Sequence, residues 1–419
     1  MTARKPASAE FRRPGTLPLK PRLRYRVRTM IDRQTLGKIP PKPHTAFYED
    51  GKLLMEECVT RQGFDGAFTI LYYRVPPTDE FGVEELALPG FCPVELVERQ
   101  SLHRRHIRTQ DMGQGGNFLT GRKTLLVNDD LHIGICKPTE PPDMFFSNGD
   151  GDELYFVYEG SGTVECVYGI LPFRKHDYVP IPKGTPYRIH LEGHRGTLLV
   201  FEGRPYLGIP GQYRNSWGQI TDYAPFCHRD FHMPTELLVF DKDKHGDPPY
   251  PVVAKRSDRL TVHMYRHFPH DVVGWDGAIY PVTFNIHDFQ PKIGQVHQPP
   301  TIHTNFAGNG FVVCSFVPRT VDFHPQSIPC PYGHASVDMD EILYYIEGNF
   351  TSRKGIDSQS ISLHPAGVPH GPHPGTYEKS IGTKSTSELA VMCDTYKPLI
   401  MTTHAAAIDD KGYHTSWVE

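Results

Sequence analysis

An all-β architecture, two β lobes in tandem behind an N-terminal extension, is what this sequence predicts. Three observations lead there. The 419 residues exceed what a single hydrophobic core usually organises. The 39 Pro and 38 Gly, together with 21 Tyr and 23 Phe, favour short strands broken by turns over long helices. Two distant segments also repeat one pattern, which argues for two copies of one fold unit.

Taken in order, the first 28 residues hold nine Lys or Arg against one acid, Glu10. Residues 1–29 are therefore read as a basic, disordered extension. The alternatives are an organellar transit peptide, a natural start at Met30, and an edge strand over the alternating Arg22–Arg28 run. Beyond it, short apolar runs dominate: Thr69 to Tyr73, Thr124 to Val127, Leu154 to Tyr158, Gly196 to Phe201, Gly310 to Val317 and Ile342 to Ile346. Turn clusters such as Ser147-Asn-Gly-Asp-Gly-Asp152 separate them, the signature of an antiparallel barrel or sandwich. The stretch from Pro205 to Pro251 reads as a long connection. The expected division is an N-terminal domain over 30–265 and a C-terminal domain over 266–419.

Composition narrows the function classes. The net charge of −4 gives no footprint for nucleic acid. No apolar run is long enough to span a bilayer, and no secretory h-region opens the chain. The eight cysteines are scattered with no C-x-x-C pair, which suits reduced thiols and a cytoplasmic location.

The repeat carries the chemistry. Asp152-Glu153, six residues, Gly160 and later Pro182-Lys-Gly184-Thr-Pro186-Tyr187 match Asp340-Glu341, six residues, Gly348 and later Pro365-Ala-Gly367-Val-Pro369-His370. The shared pattern, D-E-x6-G followed by P-x-G-x-P-[HY], resembles the cupin signature, in which histidines and a glutamate hold a metal inside a jelly-roll barrel. Two copies imply a bicupin.

The copies differ where ligands belong. The second keeps His334, seven residues before Glu341, and adds His370; its other histidine position is Ser336. Two histidines and one carboxylate occupy one face of an octahedron and leave positions open, as in non-haem Fe(II) oxygenases. Zn or Mn can use the same set. The first copy has Phe146, Asn148 and Tyr187 around Glu153, a poor divalent-metal site, and is expected to be a degenerate scaffold. With 23 His in the chain, any one alone is more often a surface or packing residue than a ligand; the triple at this spacing reverses that reading.

The likeness extends further. His270-Asp-Val-Val-Gly-Trp-Asp-Gly277, Phe284-Asn-Ile-His287, Phe311 through Arg319, Pro331-Tyr332-Gly-His334, and Ser362-Leu-His364 through His370-Gly-Pro-His-Pro resemble homogentisate 1,2-dioxygenases, most strongly over about 265–400. Lys42-Pro-His44-Thr and Thr120-Gly-Arg122 resemble the bacterial members. The resemblance implies Fe(II), O2 and extradiol-type opening of a 2,5-dihydroxylated aromatic acid, homogentisate going to maleylacetoacetate in tyrosine and phenylalanine breakdown. It implies His334, Glu341 and His370 as metal ligands and His297 as acid/base catalyst. It also implies Tyr332, Tyr345, Phe350, His364 and His370 as substrate contacts, and a homo-oligomer. Two positions depart from the animal-type pattern: Phe350 and Gly333 stand where phenols are expected. Gentisate or a plain hydroquinone therefore stays open as substrate, as does a non-oxygenase metal enzyme. For His297 a turn role before Pro299-Pro300 stays open, and for His364 a packing role.

Overall fold

The computed structural model describes residues 32–348, 350 and 355–418. The basic extension over 1–29 and the alternating run within it lie outside the described residues. The chain is mainly β, with three α-helices of at most five residues among the described residues. Apart from Gly196, Gly310 and Val317 at their ends, all six apolar runs singled out above lie on strands, for example Phe68–Tyr73, Asp152–Glu159, Phe311–Phe316 and Asp340–Glu347.

Two larger sheets build the N-terminal lobe. One carries Asp152–Glu159 between Asp177–Ile181 and Thr197–Gly203. The other places Tyr187–Leu191 between Gly162–Cys166 and Phe145–Asn148. These sheets bury Phe146, Leu154, Phe156, Tyr187 and Phe201, apolar surface that drives assembly. The C-terminal lobe repeats the first sheet: Asp340–Glu347 lies between Ser360–His364 and Leu389–Thr395. This is a bicupin, and the equivalence reaches individual pairs. Phe146 opposes Tyr187 in one lobe as His334 opposes His370 in the other. Glu153 opposes Ile181 and Glu202, as Glu341 opposes His364 and Asp394.

The repeated motif has a structural cause in each lobe. Asp152 accepts backbone N–H bonds from Lys183 and Leu207, both at 2.7 Å. Asp340 accepts the matching pair from Ala366 and Leu399, both at 2.8 Å. The aspartate thus ties the start of its strand to the P-x-G turn and to a later segment, satisfying buried donors. The glycine seven residues beyond the glutamate is left-handed in both lobes, Gly160 at φ +105° and Gly348 at +98°. A Cβ on Gly348 would meet the Ser387 carbonyl oxygen at 2.0 Å.

The lobes also exchange edges. Arg105–Arg108 from the N-terminal half pairs with Ser360–His364, and Ile400–Met401 pairs with Arg122–Val127. Val272–Gly277 lies between Gln34–Gly37 and Phe68–Tyr73, and Thr283–Asn285 pairs with Asp177–Ile181. Each exchange covers a sheet edge that would otherwise expose unpaired backbone groups. All eight cysteines are free thiols. Among the described residues no helix is long and apolar enough to cross a membrane.

Candidate metal centre

Register delivers the three predicted ligands to one place. Glu341 is the second residue of its strand and points inward with Leu343. His334 and His370 face each other across a short backbone bridge, each N–H bonding the other's carbonyl at 2.8 Å. Their rings lie 4.3 Å apart. His334 Nε2 is 3.8 Å from Glu341 Oε2, and His370 Nε2 is 3.5 Å from Oε1. One ligand atom from each residue falls within 4.8 Å of the other two.

The donor set fits a divalent cation. Nδ1 of His334 lies 3.1 Å from the Tyr332 carbonyl, and Nδ1 of His370 lies 3.0 Å from that of Val368. Those carbonyls fix each ring with its proton on Nδ1 and its Nε2 lone pair toward the carboxylate, the usual outer support of a metal ligand. His370 Nε2 is buried with no hydrogen-bond partner, an atom whose burial only a ligand there would compensate. Burial would raise the Glu341 carboxyl, but the adjacent His334, His364 and His370 rings outweigh it and hold the group well below the usual range. It is therefore an anion ready to bind.

His364 completes the shell. It opposes Glu341 across the strand pair, its Nδ1 sits 2.7 Å from Glu341 Oε1, and its ring stacks on His370 at 4.3 Å. Its contact is with a ligand: it fixes the orientation of the carboxylate.

A pocket opens from the centre. His334, Glu341, Leu343 and Met392 line it, and so do His297, His303 and Arg319. His297 stands edge-on to Tyr332, ring centroids 5.0 Å apart, and Tyr332 is 6.2 Å from His334. Burial lowers the His297 pKa, and the nearby Arg319 and His334 push the same way against Asp322. His297 is thus neutral at neutral pH and able to accept a proton. Tyr345 and Phe350 lie elsewhere: they pack on each other at 4.9 Å, the Tyr345 hydroxyl bonds Ser362 at 3.1 Å, and neither lines the pocket.

Three pocket or near-ligand residues carried no signal in the sequence. His303, pushed down to about 3 by burial, arrives from a single turn at Pro300–His303. Arg319 closes a family-like stretch, but no spacing rule gives it a role. Asp394 opposes Glu341 only because of strand register; burial and the Glu341 charge raise its carboxyl to about 8.

Comparison with known proteins identifies the lineage. The family models "Homogentisate 1,2-dioxygenase N-terminal" and "Homogentisate 1,2-dioxygenase C-terminal" match residues 110–286 and 278–419. The chain belongs to the homogentisate 1,2-dioxygenase family. A Saccharolobus solfataricus relative, itself only provisionally described as a dioxygenase, is 36% identical over 386 residues, covering 91% of this chain and 97% of that one. Homogentisate 1,2-dioxygenases of Nitrobacter hamburgensis and Emericella nidulans are 27% and 28% identical over 64% and 56% of this chain. Those matches span 60% and 52% of the two enzymes' own lengths. Within the family, then, this is a homogentisate-dioxygenase-like chain with a candidate metal centre of two histidines and one carboxylate.

Proposed function

We propose that the chain is an Fe(II)-dependent dioxygenase that opens the ring of a 2,5-dihydroxylated aromatic substrate, the family reaction being homogentisate and O2 to maleylacetoacetate. The observation that carries this is the convergence of His334, Glu341 and His370, with His334 and Glu341 at the wall of a pocket that also holds a neutral His297. Two histidines and one carboxylate leave coordination positions for substrate and O2 together. Fe(II) bound there would supply Lewis-acid activation of a substrate phenol and the redox chemistry toward O2.

The chain's own residues supply the rest. His297 accepts the phenol proton and returns it to the ring-opened product. His364 holds the Glu341 carboxylate in orientation. Leu343, Met392 and Phe316 give the pocket apolar wall against which a ring is held out of water. A homo-oligomer, expected of the family, belongs to the same reading and is checked by light scattering.

Gentisate or plain hydroquinone is the second reading, because Phe350 and Gly333 stand where animal-type members carry phenols. A Zn or Mn enzyme without oxygenase chemistry would use the same donors. O2 uptake by anaerobically purified, Fe(II)-loaded protein with homogentisate, gentisate and hydroquinone in parallel separates these. Uptake with homogentisate alone is expected. Uptake with another of the three moves the substrate, and none with any, at full iron occupancy, rejects the dioxygenase reading.

A further inference from the structure

Two cations line the pocket, Lys292 and Arg319. Lys292 is engaged: its ammonium bonds the Tyr223 carbonyl and sits 3.4 Å from the centroid of the Tyr223 ring. Arg319 is not. Of the five N–H donors on a guanidinium, Arg319 uses one, Nη1 to the Val317 carbonyl at 3.1 Å. Phe316 flanks it at 5.6 Å. Asp322 and Glu388 face it from the same pocket, but among the described residues no carboxylate forms an ion pair with it. Burial weighs against its charge accordingly. A half-buried guanidinium with most of its fork unused has donors left to offer an acceptor that enters the pocket.

Its backbone is fixed. Arg319–Thr320 pairs with Ser385–Thr386, and Thr320, Ser385 and Thr386 all line the pocket, so the guanidinium sits on a polar, hydroxyl-bearing stretch of wall. A planar fork in that setting matches a carboxylate, which it can bind through two parallel hydrogen bonds.

We propose that Arg319 binds the carboxylate of the substrate's side arm and makes the pocket select an aromatic dihydroxy acid over its neutral counterpart. The proposal rests on the ring-cleavage reading for the rest of the substrate, not for its charge. Arg319 is a specificity residue here and takes no part in ring opening.

The test is anaerobic calorimetric titration of Fe(II)-loaded protein with homogentisate and with its neutral methyl ester. Wild type should prefer the acid by about 10- to 100-fold, the worth of charge-assisted hydrogen bonds. Arg319→Gln should remove that preference and leave ester affinity unchanged, and Arg319→Lys should restore part of it. In turnover, R319Q should raise KM for homogentisate far more than it lowers kcat, the pattern of lost uniform binding. Equal affinity of wild type for acid and ester would overturn the proposal without any variant. So would an R319Q protein that keeps the preference, or one that weakens acid and ester alike. The ring-cleavage reading is judged separately by O2 uptake: acid-selective binding without uptake would reject that reading and keep Arg319.

Discussion

The two lobes place a glutamate at the same point of the same strand and stabilise it in opposite ways. In the C-terminal lobe Glu341 faces histidines, and the arrangement fits a metal cation. In the N-terminal lobe Glu153 faces a cation that is already part of the protein: the Arg122 guanidinium bonds its Oε1, and the Tyr187 hydroxyl donates to Oε2 at 2.6 Å. Arg122 also stands 3.6 Å from Glu202 and 4.5 Å from the Phe91 ring centroid. Glu202, the counterpart of Asp394, is held further by Lys255 at 2.6 Å and by Asn148 at 2.9 Å. Lys255, His132, Arg122 and Arg204 outweigh its burial and keep it well below the usual carboxylate range, whereas Asp394, with no Lys or Arg paired to it among the described residues, is raised. A side chain therefore does in one lobe what the chemistry of the other reserves for an ion. A metal brings open coordination positions; a guanidinium brings none. That difference leaves Glu153 enclosed by protein partners, whereas Glu341 belongs to the candidate centre.

The comparison breaks first at the ligands. His334→Ala or His370→Ala should abolish iron binding and turnover together, with circular dichroism of the sheets unchanged. Iron retained at wild-type stoichiometry in both variants would place the metal elsewhere. Next comes His297→Ala, which should leave iron content intact and lower kcat by about 10²- to 10⁴-fold if it is the general base. An iron-replete H297A protein with full activity would remove it from the chemistry.

The scaffold side has its own test. Arg122→Met keeps much of the volume but leaves Glu153 and Glu202 short of a buried counter-charge. Breaking such a pair costs about 3–5 kcal/mol, so the urea midpoint should fall markedly while iron content stays the same. An unchanged midpoint would show that Lys255 and the phenols suffice, and that the guanidinium is not the stand-in cation.

What could be read in the sequence was what local geometry repeats. The D-E and P-x-G pairs are legible because an aspartate must meet the same turn amide in both lobes, and because a ligand set keeps its spacing along one strand and one turn. The strands themselves follow from apolar runs between turn clusters. Arg122 and Asp394 were not legible as partners of the glutamates, since they reach them only through strand register across 31 and 53 residues. The exchange of Arg105–Arg108 into the C-terminal lobe joins residues more than 250 apart, beyond any periodicity argument. Tyr345 shows the limit in the other direction: alternation puts it on the face of Glu341, yet its hydroxyl is taken by Ser362.

The smallest expected effect is the most specific to the comparison. In the metal-free protein Asp394 is raised to about 8, chiefly by burial and then by the Glu341 charge. Between the ordinary carboxylate range and pH 8 the native state then holds a proton that the unfolded chain has lost, so stability falls as pH rises through that window. Asp394→Asn should flatten this part of the pH–stability curve of the metal-free protein, read as the difference between variant and wild type so that the neighbouring histidines cancel. Bound metal should flatten it as well, because a cation beside Glu341 lowers the cost of ionising Asp394. Glu202→Gln in the other lobe should give no such gain, since there the carboxylate is already ionised against Lys255 and Arg122. A pH slope in wild type that D394N leaves untouched would mean that Asp394 does not feel Glu341, and the two lobes would then differ at their ligands alone.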